Sequence, residues 1–134
     1  MYAQTKNVTL PIGLRNPSAP NDPPARKLQV RMPTVSDELW AEAQRKELLG
    51  SAMAQDVEFA SAPTSTDVLF LARVITQWEG RPLHTWRDVA QLARVDFYKL
   101  RGSVAELEDE AVKDAEAADK AGETRPLSPA VPAS

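Results

Sequence analysis

LQVRMPTVSD, Leu28 to Asp37, changes its hydrophobic period halfway along, and that change decides the fold. Leu28, Val30 and Met32 alternate with Lys27, Gln29 and Arg31, the period of two that sends successive side chains to opposite faces of a strand. After Met32-Pro33 the period lengthens. Thr34 or Ser36 can cap a helix, Asp37 and Glu38 fall in the first turn where they favour the helix dipole, and Val35, Leu39, Trp40 and Ala43 share one face. A strand that runs straight into an amphipathic helix predicts an α+β chain.

Toward the N-terminus, Val8, Leu10, Ile12 and Leu14 alternate with Asn7, Thr9, Pro11 and Gly13, a second half-buried strand. Pro11 has no amide hydrogen for a ladder and so places this strand at an edge. Asn16 to Pro24, rich in Pro and Asn, reads as a loop, and the two strands form an antiparallel hairpin. The competing reading leaves residues 1 to 25 mostly disordered; the alternation favours the hairpin.

Toward the C-terminus, Gly50 to Pro63 is weakly periodic, with Met53, Val57 and Phe59 as anchors, and reads as a loop with at most a short turn of helix or strand. The strongest helix signal follows. Ser65 or Thr66 caps a run with Val68, Leu71, Ala72, Ile75 and Trp78 at helical spacing, closed by Gly80 and Pro82. Leu69, Phe70 and Val74 make this helix apolar on more than one side, so it is either the central helix of the bundle or it offers a spare face to a partner. Thr85 opens a short helix with Asp88 three residues on, a capping-box arrangement, followed by Val89, Leu92 and Ala93. Asp96 caps another, with Phe97, Leu100, Val104 and Leu107 on one face, continuing to about Ala121. The expected organisation is a flexible segment 1–6, a single domain 7–107 in which the hairpin packs on three to four helices, and an extension 108–134. That extension begins as an acidic Ala/Glu-rich helix and ends in a disordered Pro-rich tail from Thr124 to Ser134.

The 134 residues carry a net charge of −3, unevenly distributed: Glu106 to Arg125 holds eight acids and three bases, leaving the rest mildly basic. No apolar run approaches the roughly 18 residues of a membrane span, and Met1 to Lys6 lacks the build of a secretory signal; a cytosolic protein is expected. The absence of cysteine excludes disulfides, thiolate zinc sites, iron–sulfur clusters and a cysteine nucleophile. His84, the one histidine, sits in a Pro-rich connection, and Glu108, Asp109 and Glu110 lie in a solvated acidic stretch. Five glycines in the whole chain form no phosphate-binding loop. The chain therefore reads as a non-enzyme with no cofactor and no metal.

TWRDVAQLARVDFYKL, Thr85 to Leu100, resembles the helix-turn-helix of LacI-type repressors, with Asp88, Val89, Ala90, Ala93, Val95 and Leu100 at that motif's cap and packing positions. It departs from the motif where binding is decided. Arg94 stands where glycine usually makes the turn, Asp96 would face phosphates, and only Lys99 and Arg101 suit DNA contacts. Two consecutive core helices joined by a short turn are the simpler reading, with a small DNA-binding regulator as the alternative function.

Read whole, the chain resembles the tail assembly chaperones of Mu-like tailed phages. The residues that carry the resemblance are VTLPI (Val8 to Ile12), LQVRMPTVSD (Leu28 to Asp37), the apolar helix LFLARVI (Leu69 to Ile75) and LARVDFYKL (Leu92 to Leu100), together spanning about residues 7–107. The loops Arg15 to Ala25 and Gly50 to Thr64 are longer than the family pattern. The resemblance implies a non-catalytic protein of the host cytoplasm that binds the tape measure protein, the long helical ruler of the tail, and keeps it soluble until tube subunits polymerise around it. The tail tube protein is a further implied contact. A protein in this role needs exposed apolar surface and polar flanks, which also allows self-association. The candidate contact residues are Leu69, Phe70 and Val74 on the doubly apolar helix, with Trp40 beside them. A structural virion adaptor is the third reading.

Overall fold

In the computed structural model, which describes residues 4–121, β1 (Thr5–Leu14) and β2 (Ala25–Arg31) form the expected antiparallel hairpin, with Val8 opposite Leu28 and Thr9 opposite Lys27. β1 starts inside the segment expected to be flexible. Its register then slips, so that Leu14 meets Ala25, and the surplus residues of β1 bulge out of the ladder. The slip turns Ile12, expected on the inner face, outward to 53% exposure, while Leu10 and Leu14 stay buried. Polar groups of the bulge find partners outside the ladder. Arg26 Nε donates to Leu10 O at 2.8 Å, and the amides of Ile12 and Gly13 both donate to the Asp96 carboxylate, at 2.9 and 2.8 Å. Gly13 sits at φ +85°, and a Cβ there would stand 2.7 Å from Ala25 O; the bulge needs glycine.

Three to four helices are expected and five are present among the described residues: α1 (Val35–Leu49), α2 (Ala54–Ser61), α3 (Ser65–Val74), α4 (Trp86–Ala90) and α5 (Arg94–Ala121). α2 occupies the stretch read as a loop. Its periodicity is weak because only Ala60 is buried, while Phe59 reaches sideways to stack on Trp86 of α4 at 4.1 Å between ring centroids. α3 ends at Val74, earlier than expected, and the chain passes without a loop into a third strand, β3 (Ile75–Trp78), which pairs antiparallel with β2 to give the order β1-β2-β3. Val74, Ile75 and Thr76 are all β-branched and lose side-chain freedom in a helix, and β2 offers an edge to receive them. Trp78 Nε1 fastens the strand by donating to Ala25 O at 3.2 Å. Gly80, at φ +81°, then turns the chain, closing a strand where the sequence reading has it closing a helix.

The core has two parts. Val8, Leu10, Leu14, Leu28 and Val30 of the sheet pack against Val68, Leu71 and Val74 of α3 and Leu100, Val104 and Leu107 of α5. Behind α3, Leu69 joins Ala41 and Leu48 of α1 and Ala60 of α2 in a second cluster, and Phe59, Phe70 and Trp86 touch both. The double apolar character of α3 thus has a structural use, since one side covers the sheet and the other receives α1 and α2. α5 runs unbroken to Ala121; beyond Leu107 its residues are exposed apart from a half-buried Ala111. The Pro-rich tail lies outside the described residues.

Candidate functional site

α1 buries a different face from the one its pattern suggests. Val35 and Leu39, expected inside, are 70% and 66% exposed, while Asp37, Ala41 and Leu48 are buried. The reason is Asp37. Its Oδ1 accepts from Arg31 Nη2 at 2.7 Å and Arg73 Nε at 2.8 Å, and its Oδ2 from Arg31 Nη1 at 2.9 Å and the Thr34 amide at 2.7 Å. One carboxylate therefore joins the end of β2, the start of α1 and the last turn of α3. The bidentate Arg31 pairing, helped by the Thr34 amide and Arg73, holds the Asp37 carboxyl far below the ordinary carboxylate range against the opposing cost of burial. Charge-assisted bonds of this kind set the roll of α1, and the aliphatic side chains on its opposite side go to solvent.

Val35 and Leu39 lie one turn apart on that outward side. Leu39, with Glu38 and Glu42, forms one wall of a groove of about 420 Å³ whose other wall is Thr66, Asp67 and Phe70 of α3. An apolar strip edged by carboxylates, open to solvent between two helices, is suited to binding another apolar surface. Burying Val35 or Leu39 against a partner is worth about 1.5–3 kcal/mol each at full coverage.

The four expected contact residues divide. Phe70 lines the groove and is half-buried. Trp40 does not line the groove: it is half-buried against the Ala41–Leu69 cluster, with the Arg73 guanidinium 5.0 Å above its ring. Leu69 and Val74 are completely buried, one in each core cluster, and are withdrawn from the contact face because the sheet and α1–α2 already cover them. Leu39 faces Phe70 across the groove, and Val35 stands exposed one turn away. Both belong to the one apolar stripe of α1, Val35, Leu39, Trp40 and Ala43, which the sequence pattern alone turns inward.

A larger depression of about 650 Å³ lies over the sheet, lined by Asn7, Thr9, Lys27, Gln29, Gln77 and Trp78 among others. Its polar side chains bond one another, as in Thr76 Oγ1 to Gln29 Oε1 at 2.8 Å, the arrangement of a solvated sheet face. The helix-turn-helix segment is placed as α4 and α5. Arg94 is the first residue of α5 and not part of the turn, α4 has five residues, and Asp96, fully buried, holds the β1 bulge against the first turn of α5. A recognition helix needs that first turn free. Arg94 instead donates to Tyr98 Oη at 3.2 Å, keeping that phenol below its usual pKa. His84 Nε2 lies 3.2 Å from Ile75 O, at the margin of the sheet.

Among the described residues no group of three or more His, Cys, Asp or Glu is placed to hold a metal ion, and no helix is long and apolar enough to cross a membrane. No protein-family model, curated protein or solved structure matches the chain.

Proposed function

We propose that this chain is a non-catalytic phage tail assembly chaperone, which holds the tape measure protein in soluble form while the tail tube assembles and then leaves. The observation that carries the reading is the α1–α3 groove, where Leu39 stands in solvent opposite Phe70 with carboxylates at the rim. Leu39 and Phe70 put apolar surface on facing walls of one groove, where a single partner helix reaches both. A long helical partner presents repeated apolar stripes that such a groove can cover in turn.

The test is co-expression with the tape measure protein of the same phage. The expected result is that the partner, insoluble alone, becomes soluble and co-purifies in a nuclease-resistant complex, and that the chain is missing from finished virions. A partner that stays insoluble and unbound would overturn the reading. Retention of DNA lost with rising salt would favour the regulator, and stoichiometric presence in virions the structural adaptor.

A further inference from the structure

The groove does not stop at α3. Asp67 and Phe70 also line a smaller hollow of about 170 Å³ on the other side of that helix, closed by Arg101, Ala105 and Glu108 of α5. Phe70 is the ridge between two hollows. Packed neighbouring helices lie about 8–10 Å apart, so hollows flanking a single helix are separated by about the same distance. Seven residues of α-helix rise about 10.5 Å. The charge around the pair is one-sided: Glu38, Glu42, Asp67 and Glu108 stand against Arg101, whose guanidinium already reaches Asp67 at 3.9 Å.

Taking the chaperone reading of this face as given, we propose that the double hollow receives a basic amphipathic helix of a protein partner, laid across α3. Apolar side chains seven residues apart fill the two hollows, the one three or four residues between them rests on Phe70, and flanking Lys or Arg meet Glu38, Glu42 and Glu108. Complementary charge of this kind selects the partner and speeds encounter. A second copy of this chain is the wrong occupant, because the exposed length of α5 is itself acidic and would be repelled by the rim.

Three synthetic peptides of equal length test the geometry and the charge. The first carries Leu at i, i+4 and i+7 with flanking Lys, the second replaces Lys by Glu, and the third keeps Lys but spaces Leu every second residue. Each is titrated into the full isotope-labelled chain and followed by amide chemical shifts. The first peptide is expected to bind at least about tenfold more tightly than the other two and to shift residues 38–42, 66–70 and 101–108. The exposed substitution Leu39→Lys is expected to weaken it about tenfold, and the pair Glu38→Lys and Glu42→Lys to reverse the preference toward the Glu peptide. Equal binding of the Lys and Glu peptides, shifts confined to other surfaces, or no binding of the first peptide overturns the proposal. The two readings fail separately. A Leu39→Lys chain that still solubilises the tape measure protein overturns this docking site and leaves the chaperone function. Lys-peptide binding without capture of that protein overturns the function and keeps the site.

Discussion

Asp37 and Asp96 are both buried carboxylates in the first turn of a helix, and both reach back to a strand of the hairpin. They do it by opposite means. Asp37 is surrounded by two guanidiniums that bring their own charge from β2 and α3, whereas Asp96 is met by two uncharged backbone amides of the β1 bulge. The first arrangement fixes helices against one another and can be satisfied by any chain bearing arginines in the right places. The second fixes one backbone conformation, because the two amides converge on a carboxylate only where β1 leaves the ladder at Gly13. Charge positions elements; amide donors specify a local shape.

The largest effect is expected at Asp37. Asp37→Ala leaves two arginines facing a vacated polar site and should lower stability by about 3 kcal/mol in urea denaturation; a loss below about 1 kcal/mol would mean that water, reaching half-exposed Arg31 and Arg73, replaces the carboxylate. Asp96→Ala should cost about 2 kcal/mol and act locally, with amide exchange at Ile12 and Gly13 accelerating while that of β2 stays slow. Gly13→Ala attacks the same corner from the strand side, at about 1–2 kcal/mol for the strained backbone. Since it and Asp96→Ala disturb one unit, the double variant should lose less than the sum. Acid sharpens the comparison further. The folded-state pKa of Asp37 is depressed, so its contribution is fully present above the unfolded carboxylate value near 4 and fades as pH falls below it, because the unfolded chain takes up the proton first. Urea midpoints should therefore fall more steeply below about pH 4 in the parent than in Asp37→Asn. The smallest effect is expected at Leu39→Lys, within about 0.5 kcal/mol, although the same change should weaken partner binding about tenfold; a large loss of stability would place Leu39 in the core after all.

The hairpin was legible because Val8, Leu10, Leu28 and Val30 alternate without interruption, and the caps at Thr34 and Thr85 because their hydrogen-bond chemistry is local. Ile12 defeated the pattern through the bulge, whose cause lies in Asp96, 84 residues away. β3 was hidden because a β-branched run directly after an apolar helix continues that helix's periodicity while preferring extended backbone. The candidate groove was half legible. Phe70 falls on the second apolar face of α3, but the roll of α1, which brings Val35 and Leu39 to the surface, depends on a charged residue, Asp37, being one of its three buried ones. Hydrophobic pattern ranks Asp37 last for that position, and only the arrival of Arg31 and Arg73 from separate elements reverses the ranking.

The Asp96 clamp also has a meaning in time. A ribosome adding about 5–20 residues per second needs about 4 to 17 s to travel the 84 positions from Ile12 to Asp96. From the completion of β2 at Arg31 until Asp96 is made, the bulge has no carboxylate to fasten it, and α5 is not yet there to cover the inner face. The first element made is therefore among the last to be secured, and its bulge stays open for seconds during synthesis.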